Sequence, residues 1–268
     1  MTAGTVTGLW RYPVKSMLGE ELEASAVGER GLAGDRAYAL VDRETGKVVS
    51  GKNPGRRGAV MFECRAAFLE PPDSDTADVP PALVTLPDGT TVRTDDADVD
   101  DVISRAVDRP VSLQARAPEP AVIDDEQIAL LSPPGTFFDA APVHVLTTAS
   151  LDALAAAASS GRFDPRRFRP NILVATDAVG FVDNTWVDTT LRVGTDVVLH
   201  LVMAVPRCVM TTLAQDDLPA DKQILQTVNR ENRIDIPGMG PNPCVGVYGL
   251  VTTGGSIARN DDVRVESR

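Results

Sequence analysis

Cys208 is a lone thiol in the run Val205-Pro206-Arg207-Cys208-Val209-Met210-Thr211-Thr212, preceded by a cation and flanked by apolar residues that read as strand. As a thiolate it would be a soft metal ligand; as a thiol it would be a small core residue, and both readings stand. Arg207 favours the thiolate only if its guanidinium comes near the sulfur. Adjacent strand residues point to opposite faces, so that requires a bend, which Pro206 makes available.

A second set of residues suggests anion binding. Lys15 and Ser16 follow Tyr12-Pro13, Arg36 follows Gly34-Asp35, and Arg162, Arg166, Arg167 and Arg169 crowd around Asp164-Pro165 and Pro170. An arginine fork grips phosphate through parallel hydrogen bonds and a lysine adds a mobile charge. The alternative is a set of ordinary surface cations. Tyr248 lies in an alternating strand pattern, its hydroxyl offered either to a ligand or to the core. His144 and His200 each sit between apolar neighbours and read as hydrogen-bonded core residues. Cys64 and Cys244 read as structural, Trp10 and Trp186 as packing residues.

The composition excludes several chemistries. The chain of 268 residues has a net charge of −12 and a pI near 4.6, with no basic block to follow a nucleic-acid backbone. Three distant cysteines form neither a disulfide framework nor a zinc or iron–sulfur pattern, and two histidines exclude a multi-histidine metal centre. G-x-G-x-x-G, P-loop and G-x-S-x-G motifs are absent. The sequence reads as a soluble, cytoplasmic protein without signal peptide or membrane span.

The elements that must position these residues are mostly strands. Residues 37–42 and 47–50 flank Arg43-Glu44-Thr45-Gly46 as a hairpin, and Pro87-Asp88-Gly89 joins a second hairpin of 82–86 and 90–94. The spacing of Val99, Val102, Ile103, Ala106 and Val107 predicts a helix from about residue 95, stopped by Pro110. Residues 71–81, rich in proline and polar side chains, read as an exposed loop. The irregular stretch 111–135 places a domain junction near residue 120, giving domains 1–120 and 121–268. Beyond it, a strand at 143–146 leads into a helix from about Ser150. Strands are expected at 171–175, across 191–212 with a break at Gly194-Thr195-Asp196, at 245–251 and at 262–265, with a further helix over about 221–230. The class is α+β and β-rich.

Six segments in order resemble the MOSC family, proteins similar to the C-terminal domain of molybdenum cofactor sulfurases, and within it the amidoxime-reducing branch. They are Tyr12-Pro13-Val14-Lys15-Ser16, Gly34-Asp35-Arg36, Pro142 to Ser150, Arg167-Phe168-Arg169-Pro170-Asn171-Ile172, Arg207 to Thr212, and Val247-Tyr248-Gly249-Leu250-Val251. The resemblance implies an N-terminal β-barrel-like MOSC_N domain packed on a MOSC β-barrel domain with peripheral helices. Molybdenum-molybdopterin (Moco) would be held between them. Cys208 would bind molybdenum as the catalytic ligand. Lys15, Ser16, Arg36, Arg169 and Asn171 would contact the pterin and its phosphate, with Arg207, Thr148, Ser150 and Tyr248 as neighbours.

The implied activity is reduction of N-hydroxylated small molecules, with electrons from a separate ferredoxin-, flavodoxin- or cytochrome-type donor protein. A non-catalytic cofactor or sulfur carrier using Cys208 is the alternative, and a plain binding protein with a buried Cys208 a third. The family also carries an association with pyridoxal phosphate binding. Three positions depart from the pattern: Met17, Pro206 where some relatives have a cofactor-touching serine, and Asn260-Asp261.

Overall fold

The computed structural model describes residues 2–51, 59–73, 79–115, 131–133 and 136–267. Its strands are β1 (Thr2–Arg11), β2 (Glu20–Glu21), β3 (Ala24–Gly28), β4 (Gly31–Leu32), β5 (Ala39–Asp42), β6 (Arg65–Phe68), β7 (Ala82–Thr85), β8 (Thr91–Arg93) and β9 (Val111–Gln114) in the first part. They continue with β10 (Val143–Thr147), β11 (Ile172–Ala175), β12 (Thr190–Val193), β13 (Val197–Pro206), β14 (Arg233–Ile236), β15 (Gly240–Thr253), β16 (Gly255–Ala258) and β17 (Asp262–Glu266). Among the described residues, three α-helices accompany them: α1 (Val99–Val107), α2 (Thr148–Ala157) and α3 (Gln223–Glu231).

Seven strands close into a barrel in the order β10-β11-β1-β17-β12-β13-β15, with β15 pairing back onto β10. An odd number of staves cannot alternate direction all the way round, so at least one neighbouring pair must be parallel. That pair is β10 and β11, joined by α2 as the crossover. Burial alternates along β12 and β13, and their inward residues, Leu191, Val193, Val197, Leu199 and Leu201, join Val6, Val145, Val174, Val247 and Val263 in the barrel core. The first strand of the chain is thus a stave of a barrel built otherwise from residues 143 onward.

The N-terminal part has its own core. The sheet β6-β7-β8 and the pair β5-β9 enclose Met17, Leu40, Met61, Cys64 and Val84, closed by Val99, Ile103 and Val107 of α1. The helix starts four residues later than its periodicity suggests, because Asp95 and Asp96 bind Arg93 in the preceding turn. The first expected hairpin forms as a short antiparallel contact, the bridge Val41↔Val48 flanked by the Asp42 amide donating to the Lys47 carbonyl and the Val49 amide to the Leu40 carbonyl, while β5 takes β9 as its main partner. The 82–94 hairpin and the break at Gly194 form as expected. Strand β16 lies between the expected strands at 245–251 and 262–265 and pairs with β3. Residue 120, the expected junction, lies outside the described residues. The α+β, β-rich class and the barrel with peripheral helices are as the sequence implies.

Candidate functional site

Six segments deliver the site. The end of β1 runs into a turn at Val14–Met17, closed by the Met17 amide donating to the Val14 carbonyl at 3.2 Å. The turn after β4 carries Asp35 and Arg36, and the 3-10 turn Pro165–Phe168 ends at Arg169 just before β11. Arg207 and Cys208 follow β13, and β10 and β15 bring His144 and Tyr248 side by side.

The backbone marks three of these residues. Among the described non-glycine residues with positive φ, those that are neither Asp nor Asn are Ser16 (67°), Arg36 (47°) and Arg169 (52°). A left-handed conformation costs such a residue about 1–2 kcal/mol, so it persists where the surroundings enforce it, commonly at functional sites. At Arg169 it closes the 3-10 turn, with the amide donating back to the carbonyls of Pro165 and Arg166.

Two guanidinium groups pack against one aromatic ring. Tyr12 lies 4.1 Å from the Arg169 guanidinium carbon and 4.7 Å from that of Arg36, and its hydroxyl donates to the Pro170 carbonyl. Asp35 binds the Arg36 guanidinium and also accepts from the Tyr12 amide at 2.8 Å and the Asn171 side-chain amide at 2.9 Å. Asn171 in turn accepts from the His144 amide, so its side chain fastens β10 and β1 together. Burial pushes the Tyr12 hydroxyl up to about 12 against the pull of Arg169 and Arg36. It also brings Arg169 down to about 10, Tyr12 opposing and Arg36 adding to that fall. Arg36 is the exception: burial lowers it, but Asp35 and Tyr12 more than compensate and leave it raised.

Arg207 completes the group. Its guanidinium donates to the carbonyls of Val245 and Phe168 and to His144 Nε2 at 2.7 Å. The bend that the sequence demands is present. Pairing between β13 and β15 shifts register between Ala204 and Pro206, and Arg207 turns inward while Cys208 begins the 3-10 turn Val209–Thr212. Cys208 is half-buried and in no disulfide, and its carbonyl accepts from Thr211. Burial lowers Arg207, and the proximity of Tyr248 and Cys208 works the other way. Among the described residues, neither Arg169 nor Arg207 is bonded to a carboxylate.

The other expected site residues have local duties. Lys15 donates to Asp139 at 2.5 Å and to the Phe137 carbonyl, and the Ser16 hydroxyl accepts from the Gly51 amide. Thr148 and Ser150 stand at the start of α2. The Thr148 hydroxyl accepts from Thr176, and the wholly buried Ser150 donates to Asp183 at 2.7 Å, so neither joins the arginine cluster. Burial raises the Asp183 carboxyl, partly offset by these bonds. Tyr248 meets the His144 ring edge-on at 6.0 Å.

Sequence reading missed three participants. Tyr12 and Asp35 lie inside segments already singled out, next to the cations they serve. His144 is buried and hydrogen-bonded, as expected of a core histidine, but its bonds go to Arg207 and to the Arg169 carbonyl. His200, half-buried, contacts the Thr189 carbonyl far from this cluster.

The donor set suits a metal that brings most of its own ligands. No group of three or more His, Cys, Asp or Glu side chains capable of holding a metal occurs among the described residues. One half-exposed thiol beside a positive cluster fits an anionic metal-carrying cofactor.

Comparison with known proteins identifies the family. The model of the MOSC domain matches residues 133–264, and that of the MOSC N-terminal beta barrel domain matches residues 3–78. Mitochondrial amidoxime reducing component 2 of Bos taurus is 28% identical, and its Homo sapiens counterpart 29%, each over 97% of this chain and 82% and 83% of its own length. The YuaD protein of Bacillus subtilis superposes over 100% of this chain and 97% of its own, with a TM-score of 0.47 at 11% identity. The chain belongs to the MOSC domain family, carries the family's N-terminal β-barrel domain, and is similar along nearly its whole length to the amidoxime reducing components.

Proposed function

We propose that this protein is a molybdenum cofactor-dependent reductase of N-hydroxylated small molecules, working with a separate electron-donor protein. The observation that carries the reading is the pair of inward-turned guanidinium groups, Arg169 and Arg207, without a carboxylate partner among the described residues, beside half-exposed Cys208. In a chain of net charge −12, such an uncompensated positive cluster is a place for an anion.

The residues divide the work. Cys208 Sγ would be the one protein ligand to molybdenum. Arg36, Arg169 and Lys15 would face the anionic phosphate and pterin, with Ser16 and Asn171 fixing the turns that present them. Asp35 keeps Arg36 in place, and the Tyr12 ring packs against both guanidinium groups. When bound, the cofactor supplies two-electron removal of oxygen from nitrogen. The protein contributes fixed charge and a shielded position for the thiolate.

In a chain of net charge −12 a donor with a basic docking face is favoured, whether of ferredoxin, flavodoxin or cytochrome type. Among the described residues no helix is long and apolar enough to cross a membrane. A cytoplasmic site remains our reading, while the relatives are named mitochondrial. Pyridoxal phosphate gains no support, since the Lys15 ammonium is engaged by Asp139 and Phe137.

Elemental analysis after expression in a cofactor-producing host tests the reading. We expect about one molybdenum per wild-type chain, near none in Cys208→Ala, and reduction of benzamidoxime by wild type with an artificial electron donor. A wild-type protein free of molybdenum and of pterin fluorescence overturns it, and cofactor bound without turnover assigns the carrier role.

A further inference from the structure

The sequence groups Arg162, Arg166, Arg167 and Arg169 as candidate anion binders, and the structure gives one of them a different task. Arg167 is only 1% exposed, among the largest wholly buried side chains. Its Nε donates to the Arg162 carbonyl at 3.0 Å, Nη1 to the carbonyls of Thr211 and Leu213 at 3.4 and 3.3 Å, and Nη2 to that of Pro219 at 2.7 Å. None of these partners is a carboxylate. A charge withdrawn from water persists only where its donors are met, and a guanidinium meets several because its N–H groups fan out in one plane. The Arg162 carbonyl lies just before Arg167's own turn. The other three lie on one loop, residues 208–219, whose first residue is Cys208.

That loop is fastened to the turn Pro165–Phe168 along its length. Just before it, the Arg207 guanidinium donates to the Phe168 carbonyl at 2.9 Å. At its tip, Gln215 and Leu218 exchange 2.9 Å backbone hydrogen bonds, and the Asp216 and Asp217 carboxylates between them pair with Arg166 at 3.2 and 2.8 Å. Those outer pairs face solvent and contribute little. Arg167 holds the middle, out of water. From there the path to the thiol is short: the Thr211 carbonyl accepts from Arg167, while the Thr211 amide and hydroxyl both donate to the Cys208 carbonyl, at 3.3 and 3.1 Å. In the other direction, Arg169 closes Arg167's own turn.

We propose that Arg167 is a positioning residue, fixing the loop that carries Cys208 against the turn that carries Arg169 and so setting the thiol relative to the Arg169 guanidinium. Lysine keeps the charge but has its three donors on one nitrogen, and cannot span carbonyls at both ends of the loop. What the thiol is placed for rests on the reductase reading above; the placement itself does not.

Alkylation of the cofactor-free protein tests the placement. In Arg167→Lys we expect iodoacetamide to label Cys208 about fivefold faster than in wild type, because the loop opens locally, while Cys64 and Cys244 stay protected. A role in general stability would expose those two buried thiols in step with Cys208. Thr211→Val, which deletes the hydroxyl bond to the Cys208 carbonyl, should give the same selective acceleration, and the double variant should label little faster than either, since both break one path. Circular dichroism selects the folded variants; should Arg167→Lys fail to fold, Thr211→Val decides. A folded variant that labels Cys208 at the wild-type rate, or exposes Cys64 and Cys244 with it, overturns the inference. After expression in a cofactor-producing host, Arg167→Lys should retain about tenfold less molybdenum through dialysis than wild type, and equal retention likewise overturns it. Wild type that carries molybdenum but reduces no N-hydroxylated probe sinks the reductase and leaves Arg167 to the labelling and retention results. Wild type that reduces benzamidoxime, with Arg167→Lys equal to it in labelling and in molybdenum, does the reverse.

Discussion

His144 holds Arg207 through an Nε2 that accepts from the guanidinium at 2.7 Å, while its Nδ1 lies 3.2 Å from the Arg169 carbonyl. A carbonyl can only accept, so Nδ1 carries the proton and the ring is neutral. Burial, then Arg207, hold its protonation well below the ordinary histidine range. One imidazole therefore ties together Arg169 and Arg207, the two arginines of this cluster without a carboxylate.

That neutrality makes stability depend on pH. The unfolded chain takes up a proton near pH 6.5 and the folded ring does not, so this contribution is complete above that pH and is lost as pH falls below it. Unfolding titrations should show wild type losing up to about 1.4 kcal/mol per pH unit relative to His144→Gln between pH 6.5 and 5. Asp183, raised by burial, acts in the opposite sense and cancels in the comparison. Parallel curves for the two proteins would refute the assignment.

Gly246 makes the His144 position possible. Its φ is +83°, and an added Cβ would stand 2.3 Å from His144 Nε2 and 2.7 Å from the Val145 carbonyl. Gly246→Ala should therefore destabilise the fold by roughly 2 kcal/mol or more, through backbone strain and displacement of the ring. Denaturant midpoints check this; a neutral effect would mean that the histidine moves freely.

Asp35 bonds Arg36, the Tyr12 amide and the Asn171 side chain. Asp35→Ala leaves a largely buried guanidinium and two buried donors unpaired, and we expect a loss of about 3–5 kcal/mol in urea unfolding. Asp35→Asn, which keeps an acceptor, should lose less. Equal losses would show that charge alone matters.

The three thiols should differ in reactivity. Cys64 and Cys244 are wholly buried, and burial pushes each up to about 11, with Arg207 partly opposing at Cys244. Cys208 is half-exposed. In cofactor-free protein, iodoacetamide should label Cys208 at least tenfold faster than either, read by peptide mass spectrometry. Comparable labelling of Cys64 or Cys244 would contradict the burial described.

The acid limb has a separate source. Burial disfavours the charged form of Asp42, but hydrogen bonds from Arg109 and Thr45 outweigh it and hold the carboxyl near about 2. Its stabilisation is present above about pH 4 and lost as pH falls toward 2. Asp42→Asn should flatten the stability curve in that window and leave the limb near pH 6 unchanged.

The sequence alone determined what local chemistry can encode. The spacing of Val99, Ile103 and Val107 specified α1, the turn residues at 87–89 and 194–196 specified two strand reversals, and the order of six short segments specified the family. Short-range periodicity and turn preference carry that information without any distant contact. The tertiary structure alone decided how the parts meet. Only barrel closure puts β1 between β11 and β17, and with it Tyr12 against both Arg36 and Arg169. Only the pairing of β10 with β15 sets His144 against Arg207. An imidazole between valines reads alike in any core, and which carbonyl or guanidinium it meets is fixed by residues far along the chain.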